Sequence, residues 1–338
     1  MKASWFVCLF LLAGCTYRSD LFSFDPEPQP LIPPVIETPP PVLVPTPILA
    51  PQTPAVADTT LPVPQANLTD GTYFFGTTLT FSLGEGSGPG AQVEWSVDQG
   101  NQWLTNPEIT LQRPVNLRIR TRMGEKLSRE RQYTYQIKYR KVFIIGNSIL
   151  QNQPLPSQGW LGHWGMAATA PDRDFASLLG QKLIQLNPSV EIKKLNAAVF
   201  ENQFWRFDLS IWKEIQTFQP DLVILRLGDN VEDQRAATEG FRTYLRQLLF
   251  FFMGPPPHKA RLICTSSFYP KDVVNFEMAK ALDPPVSATW VPIMHLHRLP
   301  GMTAVELYSD PDIGSHPSDL GMRAIADSIW AGLGPHIQ

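Results

Sequence analysis

The spacing of apolar residues changes character along this chain. Between residues 66 and 140 it has period two. Thr78-Leu79-Thr80-Phe81-Ser82-Leu83 alternates, as do Val93-Glu94-Trp95-Ser96-Val97-Asp98 and Val115-Asn116-Leu117-Arg118-Ile119-Arg120. Ile109-Thr110-Leu111 and Tyr133-Thr134-Tyr135-Gln136-Ile137 complete the set, with Gly, Pro and Asn between the runs. Short alternating runs with such punctuation predict a small all-β sandwich. From residue 140 onward, apolar runs predict strands at 142–145, 221–225 and 261–264, and residues 190–195 read as a further strand. Helical spacing falls between them, at 175–186, 209–218 and 241–252, and a last helix is expected at 320–333. Strands that are apolar throughout and alternate with helices imply a parallel sheet covered on both faces, a three-layer α/β fold. In such sheets ligands gather at the carboxyl ends of the strands.

The first 65 residues fit neither pattern. Lys2 is followed by the apolar run Trp5 to Leu12, which is far below the roughly 20 residues of a membrane-spanning helix. It ends in Leu12-Ala13-Gly14-Cys15, which resembles a bacterial lipobox. The resemblance implies a signal peptide over 1–14, cleavage before Cys15, and lipid on that thiol. Thr16 at the next position favours the outer membrane under the sorting rule for such lipoproteins. Residues 15–65 are rich in proline, with Pro33-Pro34 and Pro39-Pro40-Pro41 typical. Extended polyproline chain rises about 3.1 Å per residue, so this segment reads as a tether. With Cys8 cleaved and Cys15 lipidated, Cys264 alone remains, and no intramolecular disulfide is expected.

Length and charge narrow the picture. A chain of 338 residues suggests about two domains, and 43% hydrophobic content suffices for a core. A formal net charge of -3 gives no basic stripe, so nucleic acid is not an expected partner.

The candidate chemistry lies at strand ends. Gly146-Asn147-Ser148-Ile149 follows Val142-Phe143-Ile144-Ile145, delivering a serine into a turn. Far downstream, Asp312-Ile313-Gly314-Ser315-His316-Pro317 precedes the last helix. A serine hydroxyl is a weak nucleophile and needs a base within hydrogen-bond reach, so the pair Ser148 and His316 suggests acyl transfer.

Four segments in order resemble the blocks of the SGNH (GDSL-like) hydrolases: Gly146-Asn147-Ser148-Ile149, Asn196-Ala197-Ala198-Val199-Phe200-Glu201, Gly228-Asp229-Asn230, and Asp312 with His316-Pro317. The resemblance covers roughly residues 141–335 of a domain taken as 141–338, and it implies a flavodoxin-like three-layer sheet. It also implies Ser148 as nucleophile and His316 as base. Its oxyanion donors would be the backbone N–H of Ser148 and the side-chain amide of Asn230, with the N–H at Glu201 as a third. Three positions depart from the family pattern. Asn147 stands where Asp is frequent. Glu201 replaces a glycine, and its side chain is expected in or beside the pocket, where it could bind substrate, orient a group or merely face solvent. The triad aspartate should lie three residues before the histidine, where Ile313 stands; Asp312 is the first candidate, Asp310 the second, and a backbone carbonyl serves in some members. Within residues 66–140, the order Gly71-Thr72-Tyr73, then Trp95-Ser96-Val97-Asp98, then a closing Tyr135-Gln136-Ile137 strand loosely resembles the chitobiase/hexosaminidase C-terminal type of Ig-like module, read as a spacer or a weak carbohydrate-contacting domain. Pro317 is expected in the first turn of the last helix, with Asp319 complementing its dipole.

Trp160 and Trp164, in the glycine-rich loop after the serine, are candidates to stack on sugar rings or, alternatively, to pack the loop. His258, His295, His297 and His336 lack metal-ligand spacing, so neither a metal nor another cofactor is expected. Export, tether and serine chemistry together suggest an esterase that removes acetyl or other small acyl groups. Its partner would be an acylated polysaccharide or peptidoglycan in the cell envelope. An O-acetyltransferase would use the same residues. A non-catalytic glycan-binding or scaffold lipoprotein is the reading from a different class.

Overall fold

Five parallel strands form the frame: β1 (Lys141–Gly146), β2 (Glu191–Asn196), β3 (Leu222–Leu225), β4 (Arg261–Thr265) and β5 (Ala288–Val291). They are ordered β2-β1-β3-β4-β5, with every neighbouring pair parallel. That is the flavodoxin-like doubly wound order, whose strand order reverses between β1 and β3. The structure is a computed structural model that describes residues 57–254, 260–286 and 288–334. The signal peptide, Cys15, His258, His336 and most of the tether lie outside the described residues.

Strand pleat explains the two cores. Val142 and Ile144 of β1, with Leu222 and Ile224 of β3, point to one face. There they meet α1 (Phe175–Leu186) through Phe175, Leu179 and Leu183, and the C-terminal helix (Asp319–Leu333) through Met322, Ile325 and Ile329. Phe143, Ile145, Val223 and Leu225 point to the other face. That face is covered by α2 (Ala198–Gln203), by α3 (Phe241–Met253) through Phe241, Leu245 and Leu249, and by α4 (Asp272–Ala281) through Val274 and Met278; the C-terminal helix is α5. Burying each such side chain contributes roughly 1.5–3 kcal/mol, which outweighs the weak local propensity of any one segment.

Two antiparallel-rich sheets precede this frame. One joins Gln65–Ala66, Thr77–Ser82 and Glu108–Leu111; the other joins Gly71–Phe74, Arg131–Lys138, Val115–Met123 and Gln92–Ser96. Their inward residues Leu79, Leu111, Leu117, Ile119 and Tyr135 are fully buried. They are continuous with the α1–α5 face of the parallel sheet. The described residues belong to one compact unit. The tether boundary expected at residue 65 therefore moves. Leu61 is buried, Asp58 N–H donates to Leu127 O at 2.7 Å, and Thr121 Oγ1 donates to Pro62 O at 2.7 Å. Residues 58–65 already pack on the sandwich.

Candidate active site

β1 ends in Gly146, where a Cβ would stand 2.6 Å from the Leu150 Cβ, so only glycine lets the chain turn this tightly. The turn is tied from within: Asn147 Oδ1 accepts from Ile149 N–H at 3.2 Å, and Leu150 N–H donates to Asn147 O at 2.9 Å. Asn196, at the end of β2, donates from Nδ2 to Gln151 O at 2.7 Å and so fastens the serine loop to the neighbouring strand. Ser148 is left partly exposed at the carboxyl end of the sheet, beside the point where strand order reverses.

His316 comes from the opposite end of the chain. The short helix Pro311–Gly314 starts at Asp310, whose carboxylate accepts from the N–H groups of Asp312 and Ile313 at 3.0 and 3.1 Å. A helix end leaves its last carbonyls without intrahelical donors. One of them, Asp312 O, lies 2.7 Å from His316 Nδ1 and also accepts from Ser315 Oγ at 2.8 Å. The opposite ring nitrogen, Nε2, stands 2.8 Å from Ser148 Oγ. A carbonyl can only accept, so the proton sits on Nδ1 and the Nε2 lone pair faces the serine hydroxyl. Burial lowers the pKa of His316, opposed by the Asp312 carbonyl, which favours the neutral ring.

This corrects the expected role of Asp312. Its carboxylate is exposed and its main-chain oxygen orients the base. Asp310 works one step away, as the cap of the turn. Pro317 lies ahead of the helix rather than in its first turn, since Ser318 is the N-cap. Asp319 accepts from Thr169 N–H and Oγ1 and from Arg173, which pins the long loop after the serine.

Beneath the dyad lies a buried polar network. Arg226, fully buried, donates from Nη1 to Asn147 Oδ1 at 2.6 Å, and its Nη2 lies 2.7 Å from Asp229 Oδ2. That second contact is an ion pair without hydrogen-bond alignment, and Arg226 Nε has no partner among the described residues. Asp229 Oδ1 also accepts from the N–H groups of Phe268 and Tyr269 at 2.8 and 3.1 Å. Asn147 Nδ2 donates to Asp229 Oδ2 at 2.9 Å and to Glu201 Oε1 at 3.2 Å. An aspartate at 147 would bring a third carboxylate to a cluster with one guanidinium, which accounts for the amide here. Burial and the neighbouring Asp229 raise the pKa of Glu201, while Arg226 and three donors overcome burial to hold that of Asp229 low.

The backbone N–H of Ser148 has no hydrogen bond among the described residues, which leaves it free to face an oxyanion. The expected donor at Glu201 is not free. Glu201 lies inside α2, and its N–H donates to Ala197 O at 3.2 Å. Its side chain is buried rather than beside the pocket, and Oε2 accepts from Asn230 Nδ2 at 2.7 Å. Trp160 is 2% exposed and packs with Met166, Ala167, Ala304 and Ile313, so no sugar can stack on it. Trp164 is partly exposed, with its Nε1 donating to Ala168 O at 2.8 Å. Sequence reasoning missed Arg226 and the Asp310 cap. An arginine between Leu225 and Leu227, directly after the apolar strand β3, was the available signal for the former. Among the described residues no group of three or more His, Cys, Asp or Glu side chains is arranged to hold a metal ion.

No protein-family model matches the chain, and no curated protein matches it. Among solved structures it is similar to an alpha/beta hydrolase from the metagenome of Lake Arreo, at TM-score 0.40 and 18% identity, over 59% of this chain and 97% of that one. It is similar to an acetylxylan esterase of Geobacillus stearothermophilus at TM-score 0.38 and 18% identity, over 58% of this chain and 94% of that one. A two-domain esterase active on acetylated mannans, co-crystallised with mannopentaose, gives TM-score 0.40 and 15% identity, over 58% of this chain and 49% of that one.

Proposed function

We propose that the protein is a serine esterase that removes acetyl or other small acyl groups from a cell-envelope or extracellular glycan. The observation that carries this reading is the relay from Ser148 Oγ to His316 Nε2 at 2.8 Å and from His316 Nδ1 to Asp312 O at 2.7 Å. Ser148 Oγ attacks the ester carbonyl carbon as its proton passes to Nε2. The carbonyl oxygen takes the negative charge, facing the Ser148 N–H and the Asn230 amide. When the C–O bond to the sugar breaks, His316 returns the proton to the departing hydroxyl. Water then attacks the acyl-serine with His316 again as base, releasing the carboxylic acid and restoring Ser148. Placement on the outer membrane through lipid at Cys15 belongs to the same reading and draws on the sequence of residues 1–16.

Release of p-nitrophenol from p-nitrophenyl acetate by the purified protein, beside Ser148→Ala and His316→Ala, tests the chemistry. Turnover lost in both variants supports it; turnover untouched by either change removes the dyad from the reaction. Acetylated xylan and mannan oligosaccharides form the first natural panel. Incorporation of labelled palmitate, lost in Cys15→Ala, tests the anchor.

A further inference from the structure

Glu201 takes no part in the proton relay, yet its carboxylate is met by donors on both oxygens. Oε1 accepts from Gly228 N–H at 2.5 Å and Asn147 Nδ2 at 3.2 Å, and Oε2 accepts from Asn230 Nδ2 at 2.7 Å. The Gly228 donor is itself fixed, since its φ of +111° suits glycine and a Cβ there would lie 2.8 Å from Met278 Sδ. Asn230 is exposed, and its side chain has no other hydrogen-bond partner among the described residues. An asparagine amide can turn end for end, presenting either NH₂ or C=O to a given point. A carboxylate only accepts, so ionised Glu201 selects one of the two orientations. It occupies one hydrogen of the NH₂ and leaves the other unengaged.

We propose that Glu201 is a positioning residue whose carboxylate locks the Asn230 amide in the orientation that offers its second N–H to the oxyanion. The proposal rests on the serine-esterase reading above. A turned amide would present a carbonyl oxygen to the developing negative charge and replace attraction with repulsion. The position whose main-chain N–H is absorbed by α2 thus contributes through its side chain, by way of Asn230.

Glu201→Gln separates orientation from packing, because it conserves volume. Gly228 N–H and Asn147 Nδ2 require an oxygen on their side, so the new NH₂ must face Asn230. Asn230 then has to turn its Oδ1 toward position 201. Assayed at mildly alkaline pH, where Glu201 is ionised in the parent protein, the variant should lose about 10²-fold in kcat with KM nearly constant, the cost of one oxyanion donor. In an Asn230→Ala background the same change should cost nothing further. With ¹⁵N-asparagine labelling, the Asn230 side-chain amide pair, identified by its loss in Asn230→Ala, should shift in Glu201→Gln.

A kcat for Glu201→Gln within about threefold of the parent, or losses that multiply in the double variant, would overturn the proposal. If the parent protein turns over no ester, the esterase reading fails by itself. The amide signal still decides the positioning claim in that case, and an unshifted pair refutes it.

Discussion

His316 Nδ1 is held by the main-chain oxygen of Asp312, 2.7 Å away, and by no carboxylate among the described residues. The neutral acceptor fixes the tautomer but places no full negative charge beside the imidazolium that the proposed attack would form. Orientation of the base therefore depends on the turn Pro311–Gly314 keeping its shape. Asp310, through its bonds to the N–H groups of Asp312 and Ile313, keeps it.

The consequence for mutagenesis inverts the usual triad result. Asp312→Ala should lower kcat/KM by less than about tenfold, since the carbonyl survives the substitution. Loss of a true triad carboxylate costs about 10⁴ in kcat. Asp310→Ala removes the cap, worth about 1 kcal/mol of local stability, and should hurt kcat more than Asp312→Ala. Steady-state kinetics of both variants decide it. A loss near 10⁴ in Asp312→Ala would show that the carboxylate reaches the ring during catalysis.

The pH profile should carry two ionisations on its acid side. Burial lowers the pKa of His316 from the ordinary 6.5, so the base loses its proton at lower pH than a free histidine. Burial and Asp229 raise that of Glu201 from the ordinary 4.5, with Arg226 the nearby cation and Asn147, Asn230 and Gly228 its uncharged neighbours. Both groups act deprotonated, so log kcat/KM should fall with a slope steeper than one as pH drops below both. In Glu201→Gln the limb should become single, with its midpoint below 6.5. Equal slopes in the two proteins would remove Glu201 from the profile.

Asp229→Asn tests the buried pair. It keeps the shape but leaves Arg226, which has no exposed surface, without its counter-ion. Breaking one side of such a pair costs about 3–5 kcal/mol. Urea unfolding should show a lower midpoint with an unchanged slope. A midpoint equal to the parent would mean that the guanidinium is compensated elsewhere.

The frame was legible because burial on both faces forces apolar runs, and β1, β3 and β4 each carry one; the edge strand β2 has only Ile192 and Leu195 as apolar residues and is largely exposed. Three of the labelled elements, α2, α4 and β5, were missed for physical reasons. α4 exposes Val273 and Phe276 to solvent, which blurs its period, and α2 and β5 have only six and four residues. Ser148 and His316 were readable because each follows or precedes a recognisable element. The carbonyl that orients His316 stood only as the last alternative, carried by the family resemblance, since a main-chain acceptor leaves no mark in residue identity. Glu201 was visible as a departure, but its direction depended on α2 turning its N–H inward. The tether boundary was placed late because Leu61 lies among prolines that conceal its burial.

Trp160 links the serine loop to the histidine turn. It fills a small cluster with Met166, Ala167, Ala304 and Ile313, and its ring meets Trp164 and Tyr308 edge-on. Ile313 sits inside the turn that carries the Asp312 carbonyl. Trp160→Ala should therefore cost about 3–5 kcal/mol of stability and lower kcat, because the turn loses its packing partner. KM for an acetylated oligosaccharide should stay near the parent value, since a buried ring touches no sugar. Trp160→Phe should be far milder: it keeps most of the ring, and the indole Nε1 that it removes has no hydrogen-bond partner among the described residues. A large rise in KM for Trp160→Ala with kcat intact would restore this tryptophan to the substrate site and refute the packing role.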